Sequence, residues 1–159
     1  MNNLSNVQKS YIAGFLDGDG SIYVKLTRND TYRFGYQVAP NIVFYQRKDY
    51  KDYFETLRKM LGIGYIRIRK DGIVEYIIGD LDSLKKFINQ ISPYSRLKKR
   101  QFRLMSEILE KKRTVKTAKD FIRLSKLIDQ FKNLNYSKKR SQTSYSVEKL
   151  LKNKGLLTP

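Results

Sequence analysis

Two carboxylates separated by one glycine are the clearest chemical feature of this sequence, in the segment Asp17-Gly18-Asp19-Gly20. They follow an apolar helical pattern and precede an alternating strand pattern. Their oxygens and the Gly18 carbonyl are therefore predicted to lie at the C-terminal end of a helix. Such oxygens are the ligands that Mg²⁺ prefers. The same residue types also form ordinary turns, so this segment by itself is consistent with either a metal site or a turn.

Two missing residue types narrow the chemistry that the chain can perform. The 159 residues include no cysteine and no histidine. Disulfides, cysteine- or histidine-ligated metals, thiol nucleophiles and Ser-His catalysis are therefore excluded. Any hydrolysis must rest on carboxylates, metal ions, lysine, arginine, tyrosine and amides, which points to metal-assisted chemistry.

The charge balance predicts a polyanionic partner. The chain carries 33 basic and 15 acidic residues, for a formal net charge of +18. Such a field attracts nucleic acid first and acidic membrane surfaces second. No apolar run approaches the roughly 20 residues that span a bilayer, and no signal or transit peptide is evident. We therefore expect no membrane partner and an intracellular protein, in a prokaryotic cytoplasm or an organelle matrix, that is not secreted.

The helix that carries the two carboxylates is predicted from its own pattern. Ser5 and Gln8 have the spacing of a capping box, and Val7, Tyr11 and Phe15 recur at four-residue intervals. A helix beginning after Ser5 would therefore place its last turn at the two carboxylates.

The rest of the apolar pattern predicts an α+β fold. Strands are expected at 21–28, 32–45, 65–69 and 73–78, with helices at 48–61 and from 80 or 82 to 91. Along the second strand, the inward residues are expected to be Phe34, Tyr36, Val38, Ile42 and Phe44, and the outward ones Arg33, Gln37, Asn41 and Val43. The order α-β-β-α-β-β-α favours a four-stranded antiparallel sheet with helices packed on one face.

The chain after residue 95 is predicted to be helical. Apolar residues from Leu97 to Leu109 and from Phe121 to Phe131 mark two helices, and a short third one is expected at 144–152. The length suits a single domain over residues 1–159, with a core at 1–94 and a C-terminal helical part at 95–159.

The segment Ile12-Ala13-Gly14-Phe15-Leu16-Asp17-Gly18-Asp19-Gly20 resembles the signature of the LAGLIDADG homing endonucleases. Further segments that look like this family are Leu61-Gly62-Ile63-Gly64-Tyr65, Pro93-Tyr94 followed by Leu97-Lys98, and Thr143-Ser144. The motif has no second copy, so the chain is similar to the single-motif members. The resemblance implies a saddle-shaped sheet over DNA and a homodimer formed through the motif helices.

The same resemblance implies a set of catalytic residues, namely Asp19, Gln46, Lys98 and Lys51. Asp19 corresponds to the metal ligand of the family, joined by the Gly18 carbonyl. Gln46 corresponds to a glutamine that orders water, and Lys98 to a lysine that polarises water or stabilises the phosphate. Lys51 is expected to replace a basic residue whose place Tyr50 occupies. Mg²⁺ is the expected cofactor, with Mn²⁺ able to substitute and Ca²⁺ binding without turnover.

A chain with one motif has to pair with itself to cut two DNA strands. One carboxylate from each subunit would then meet at the two-fold axis, where the pair can hold two or more Mg²⁺ ions. The small pair Ala13-Gly14 lets two helices approach closely. The predicted dimer-interface residues are Tyr11, Ala13, Gly14 and Asp17; the alternative is that this face packs within one chain.

The outward residues of the predicted sheet have side chains that read base edges in a major groove. This set is Tyr23, Lys25, Thr27, Arg33, Gln37, Asn41, Arg67, Arg69 and Glu75. A polar face is also what any antiparallel sheet shows to water. Phosphate contacts are expected from a basic loop with Lys138, Lys139 and Arg140.

The sequence thus predicts a metal-dependent endonuclease that cuts a long, pseudo-palindromic duplex and promotes mobility of its host intron. Two alternatives stay open. One is a cleavage-inactive intron RNA maturase or DNA-binding regulator on the same fold, and the other is a generic basic RNA-binding module.

Overall fold

The computed structural model describes residues 1–135 and 141–157. This part of the chain forms six α-helices and four strands in the predicted order. Their bounds are α1 (Asn6–Asp19), β1 (Gly20–Arg28), β2 (Tyr36–Arg47), α2 (Lys51–Leu61), β3 (Tyr65–Ile68), β4 (Ile73–Ile78), α3 (Leu81–Ile91), α4 (Lys99–Thr114), α5 (Ala118–Asp129) and α6 (Ser144–Asn153). Short 3₁₀ turns lie at Lys48–Tyr50, Ser92–Tyr94 and Gln130–Asn133. Of the helices in the described ranges, none has the length and apolar character needed to cross a membrane.

The four strands form one sheet in the order β1-β2-β4-β3. Strand β2 pairs antiparallel with β4, and β4 pairs antiparallel with β3, the two strands predicted at 73–78 and 65–69. The prediction of an α+β fold with a four-stranded antiparallel sheet is therefore confirmed.

The chain divides into two compact units, which we describe separately. The first contains Met1–Ile22 and Pro40–Phe102, and the second contains Tyr23–Ala39 and Arg103–Pro159. This division groups the connection between β1 and β2 with the C-terminal helices, and it differs from the division at residue 94 expected from the sequence. The single domain over residues 1–159 stays a prediction.

Aromatic packing dominates the core of the first unit. The ring of Phe44 lies 5.2 Å from that of Phe15, 5.9 Å from that of Tyr76 and 6.1 Å from that of Phe87, measured between centroids. Burying each such side chain contributes about 1.5–3 kcal/mol. The Tyr76 hydroxyl donates a hydrogen bond to the Ile63 carbonyl at 2.5 Å, which satisfies its polar atom inside the core.

Helix α1 begins as the sequence predicts. The Ser5 hydroxyl accepts a hydrogen bond from the Gln8 amide, and the Gln8 side chain accepts one from the Ser5 amide, which completes the capping box. The N-cap of α3 is Asp80, one of the two residues proposed for it, and it accepts from the Ser83 amide.

Three details of the predicted elements are wrong. Strand β2 begins at Tyr36 and not at residue 32, because Gly35 has a φ of +75° and Phe34 lies in the preceding turn. Val43, predicted to face outward, is buried, since it pairs with the buried Ile77 of the neighbouring central strand. Leu97, predicted on the apolar face of a helix, precedes α4 and is 74% exposed.

Candidate active site at the end of helix α1

Helix α1 ends at Asp19, and Gly20 makes the direct link to β1. The Gly20 amide closes the last turn by donating to the Leu16 carbonyl. A Cβ at this position would lie 2.7 Å from the Leu16 carbonyl oxygen, so only glycine fits. The last turn contains two carboxylates and no basic residue. Because a helix C-terminus carries partial negative charge, this arrangement is electrostatically unfavourable unless a cation lies nearby.

Asp17 acts as a cap for the segment that follows the second 3₁₀ turn. Its carboxylate accepts hydrogen bonds from the Ser95 hydroxyl at 2.6 Å and from the backbone amides of Arg96, Leu97 and Lys98 at 2.6, 3.1 and 3.3 Å. Burial alone would raise the pKa of Asp17, but these hydrogen bonds outweigh it and hold the pKa below its ordinary value. Asp17 therefore connects α1 to the segment that carries Lys98.

The buried Ser95 is a site residue that sequence reasoning missed. Its hydroxyl both donates to Asp17 and accepts from the Lys98 amide at 3.3 Å. The available signal was a serine three residues before Lys98, which is the spacing of a serine N-cap.

We expect Asp17→Asn to destabilise the fold by about 2–3 kcal/mol. The hydrogen bonds to a charged carboxylate are lost, and the side-chain NH₂ of asparagine, itself a donor, would face backbone N–H donors. The pKa of Asp17 is lower in the folded chain, so its contribution is present above the ordinary aspartate pKa. That contribution disappears as the pH falls through the lowered value. Urea unfolding of both proteins at neutral pH and near pH 2 measures this difference. An equal difference in the free energy of unfolding between the two proteins at both pH values would contradict the capping role.

Asp19 and Gln46 lie together although 27 positions separate them. The Gln46 side-chain amide, near the end of β2, donates to the Asp19 carboxylate at 3.2 Å. Asp19 is exposed, and within the described ranges Gln46 is the one group that donates a hydrogen bond to it. The carboxylate is thus oriented by a neutral amide and keeps its charge and most of its lone pairs available.

Lys98 supplies the cation at the end of α1. Its ammonium donates to the Asp17 carbonyl at 2.9 Å, one of the carbonyls left unpaired at a helix C-terminus. Burial lowers the pKa of Lys98, while the charges of Asp17 and Asp19 act in the opposite direction. The structure therefore brings Asp19, Gln46 and Lys98 together.

Lys51 does not join this group. It is the exposed first residue of α2, and its side chain forms no hydrogen bond or ion pair with any residue in the described ranges. Its neighbour Tyr50 is also exposed, and the guanidinium of Arg47, which follows Gln46, pairs with Asp49 at 2.7 Å. A catalytic role for Lys51 stays a prediction.

The donor set at the end of α1 fits a hard divalent cation only in part. Asp19 and the Gly18 carbonyl would supply oxygen ligands, but the described residues contain no cluster of three or more carboxylate, histidine or cysteine side chains that could hold a metal ion. Mg²⁺ commonly uses one or two carboxylates, with substrate phosphates and water completing its shell. One chain thus offers a partial site that a second carboxylate and a phosphate could complete.

One face of α1 is apolar and uncovered. Val7 is 79% exposed and Tyr11 is 54% exposed, and a side chain added at Gly14 or Gly18 would meet nothing within 4 Å. The prediction for Ala13 is wrong, because its side chain is fully buried inside the chain and cannot contact a partner. Its side chain points about 100° around the helix from Gly14, toward the core.

Two arginines of the first unit lie on one face, as alternation with isoleucine predicts. Arg67 pairs with Glu75 at 2.5 Å, and Arg69 contacts the other oxygen of the same carboxylate at 3.6 Å. Glu75 is only 4% exposed beneath them, so its carboxylate is bound within the chain, and its role in DNA binding stays a prediction. Its register opposite Arg67 and Tyr45 places a carboxylate where these cations compensate its burial. Asn41 is half-buried.

The remaining predicted base-reading residues belong to the second unit. Lys25 and Arg33 are exposed, and Tyr23, Thr27 and Gln37 are half-buried. The roles of these residues in DNA binding stay predictions. Lys138, Lys139 and Arg140, the predicted phosphate contacts, lie outside the described residues.

Comparison with known proteins defines the class of protein. The family model described as LAGLIDADG endonuclease matches residues 12–109. DNA endonuclease I-CreI from Chlamydomonas reinhardtii is 33% identical over 142 residues, which cover 89% of this chain and 86% of the relative. The chain belongs to the LAGLIDADG endonuclease family, as the motif at 12–20 predicts.

Further relatives extend this similarity to the whole fold. DNA endonuclease I-CvuI from Chlorella vulgaris is 29% identical over 146 residues, covering 92% of this chain and 91% of the relative. A crystal structure of I-CvuI with an I-CreI target, in the presence of Mg and with the DNA not cleaved, has a TM-score of 0.90 at 28% identity and covers 96% of this chain and 97% of that one.

Proposed function

We propose that this protein is a site-specific homing endonuclease that hydrolyses both strands of a long, pseudo-palindromic DNA duplex and so promotes mobility of its host intron. The observation that carries this proposal is the meeting of Asp19, Gln46 and Lys98 at the end of α1. Its relatives I-CreI and I-CvuI are DNA endonucleases. The protein acts in the cytoplasm or organelle matrix that holds its target DNA.

The residues that would hold the divalent metal are Asp19, through its carboxylate, and Gly18, through its carbonyl. The chemistry that Mg²⁺ supplies when bound is activation of water and stabilisation of charge on the leaving oxygen. Mn²⁺ substitutes for it, and Ca²⁺ supports binding without turnover. The relative I-CvuI has been crystallised with its target in the presence of Ca.

The protein groups around the metal have separate tasks. Gln46 holds the Asp19 carboxylate in one orientation through its amide nitrogen, which leaves its carbonyl oxygen to orient a water molecule. Lys98 presents a fixed positive charge where charge develops on the phosphate. Because Lys98 is bound to the Asp17 carbonyl, little reorganisation is needed during the reaction.

The active form is a homodimer joined through α1. Two arguments support this arrangement. A cut through both strands needs two centres, and each chain has one motif. The face of α1 with Val7, Tyr11, Gly14 and Gly18 is apolar or open in the single chain, which suits contact with a second helix. Pairing there would bring the Asp19 side chains of two chains near each other.

We expect Lys98→Met to lower the cleavage rate about 10²-fold with little change in DNA affinity, because a charge that stabilises the transition state is lost. Burial lowers the pKa of Lys98, so its ammonium deprotonates at a lower pH than an ordinary lysine. Cleavage should therefore decline as the pH rises through that value. Lys98→Arg keeps the charge and should abolish the alkaline decline. Single-turnover rates against pH test this, and an unchanged profile in Lys98→Met would contradict it.

The function itself is tested with a randomised duplex-DNA library incubated with the protein and Mg²⁺, with matched reactions in Mn²⁺, Ca²⁺ and a chelator. We expect specific double-strand cuts in Mg²⁺ and Mn²⁺ only, within one recurrent sequence. Tight duplex binding without cuts in any divalent metal would favour the DNA-binding regulator. Preferential binding of structured intron RNA would favour the maturase.

A further inference from the structure

The loop between β1 and β2, residues 29–35, has a defined conformation of its own. The Asn29 side chain accepts hydrogen bonds from the amide and the hydroxyl of Thr31, at 3.0 and 2.7 Å. The Asn29 amide donates to the Gly35 carbonyl at 3.0 Å, which closes the loop. Arg33, a predicted base-reading residue, is exposed on it.

An ion-pair network joins this loop to the end of α6. Asp30 accepts from Arg28 at 2.6 Å and from the ammonium of Lys154 at 3.0 Å, and Arg28 also donates to the Gly35 carbonyl at 3.0 Å. The hydrogen bond from Lys154 is the largest influence that holds the pKa of Asp30 below its ordinary value. Lys154 follows the last residue of α6, so this contact ties the C-terminal part of the second unit to the loop.

Two further contacts join the end of the loop to the segment around α6. The Tyr36 hydroxyl donates to the Gln142 side chain at 3.2 Å, two residues before α6 begins. A Cβ at Gly35 would meet the Leu150 side chain at 2.7 Å, so the loop backbone lies directly against α6.

Helix α5 supports the loop from another direction. The ring of Phe34 stacks on that of Phe121, with centroids 5.1 Å apart and planes 21° from parallel. The guanidinium of Arg33 lies 5.1 Å from the centroid of the Phe34 ring, at cation–π distance. The exposed Arg33 thus lies against Phe34, which in turn packs on the buried Phe121 of α5.

We infer that helices α5 and α6 fix the conformation of the loop at residues 29–35 before DNA binds, which makes Lys154 a positioning residue for recognition by Arg33. This inference rests on the proposed function. Holding a recognition loop in its bound conformation reduces the ordering cost of binding and restricts which base pair its side chains can reach. Loss of one tether should therefore change specificity at the positions this loop reads more than it changes overall affinity.

The test compares Lys154→Met with Lys152→Met. Both changes remove one exposed positive charge near the end of α6, but Lys152 pairs with Glu148 inside the helix, whereas Lys154 pairs with the loop. Their effects on general attraction to DNA are therefore matched. Lys154→Arg keeps the ion pair and should behave like the parent.

The first readout is the cleavage rate on single-base-pair variants of the target. Arg33→Ala identifies the base pairs that depend on the loop. At those positions Lys154→Met should reduce discrimination about two- to fivefold, as expected for one exposed ion pair, and should leave positions that depend on Arg67 unchanged. A uniform effect along the site, equal to that of Lys152→Met, would overturn the inference.

The second readout is amide hydrogen exchange of residues 29–35 in the DNA-free protein, which needs no enzymatic activity. Exchange in the loop should be faster in Lys154→Met than in Lys152→Met, with helices α4 and α5 unchanged in both. Equal loop exchange in the two variants would overturn the inference even if the parent cuts DNA. Faster loop exchange in a protein that cuts no duplex would overturn the proposed function and support the role of α6.

Discussion

Replacing Asp19 with asparagine is expected to abolish DNA cleavage while leaving the duplex bound. Asparagine has nearly the same shape and can still accept the hydrogen bond from Gln46, but it removes the negative charge that binds the metal. In the proposed homodimer each chain would contribute one carboxylate ligand, so the substitution would remove both. We expect the rate to fall by about 10³-fold, near the upper end of the effect that loss of one charge-stabilising group produces in an active site.

The matched control for this variant is Asp52→Asn. Asp52 is an exposed aspartate in the first turn of α2. Its substitution removes the same charge at a position away from the site. Cleavage in Mg²⁺ and duplex affinity in Ca²⁺ are measured for both variants and the parent. The control should retain cleavage, and both variants should bind DNA at least as well as the parent, because each loses one repulsive charge. Substantial cleavage by Asp19→Asn would rule out the metal role of this residue.

The second large effect is expected from Gly14→Leu, which should convert the dimer into a folded monomer that cannot cut both strands. In the single chain a side chain at this position meets nothing within 4 Å, so the monomer can accept leucine. At an interface between two α1 helices, however, two leucines would enter a space that holds no side chain. Overpacking of this kind costs about 1–3 kcal/mol for each copy, so the dissociation constant should rise about 30-fold or more.

Light scattering after size exclusion measures the oligomeric state, and thermal unfolding checks that the monomer is intact. Thr56→Leu is the control, since it adds an exposed leucine on α2 without changing the charge. We expect the control to remain dimeric and to cleave like the parent. If Gly14→Leu stays dimeric at the same concentrations, the two chains associate through another face than that of α1.

Helix α1 shows how much of the structure can be predicted from the local sequence. Its capping box, its length and its end at two carboxylates all follow from residues within four positions of each other, so Ser5, Gln8 and Asp19 could be placed from the sequence. The order of strands and helices was equally accessible, because periods of 2 and 3.6 residues are local properties. The role expected for Asp19 came from its place in a family motif.

The direction in which each side chain of α1 points was harder to predict from the sequence. Ala13 and Gly14 are adjacent small residues, and from the sequence both were predicted to lie at the dimer interface. A step of about 100° separates neighbouring side chains on a helix. In the structure Ala13 therefore enters the core, whereas Gly14 faces outward. Only the packing of α1 against its neighbours decides which of the two is buried.

The sequence by itself determined the chemistry available to this protein, the end of the helix where a carboxylate is displayed, and the family to which the chain belongs. Tertiary structure alone decided which distant groups meet there: Asp17 is bound by Ser95, 78 positions away, and Asp19 by Gln46. It also decided that Glu75 lies buried beneath two arginines. The physical reason is that periodicity and capping depend on neighbours in the chain. Burial and hydrogen bonding of a polar side chain depend on which other elements pack around it, and no local pattern encodes that.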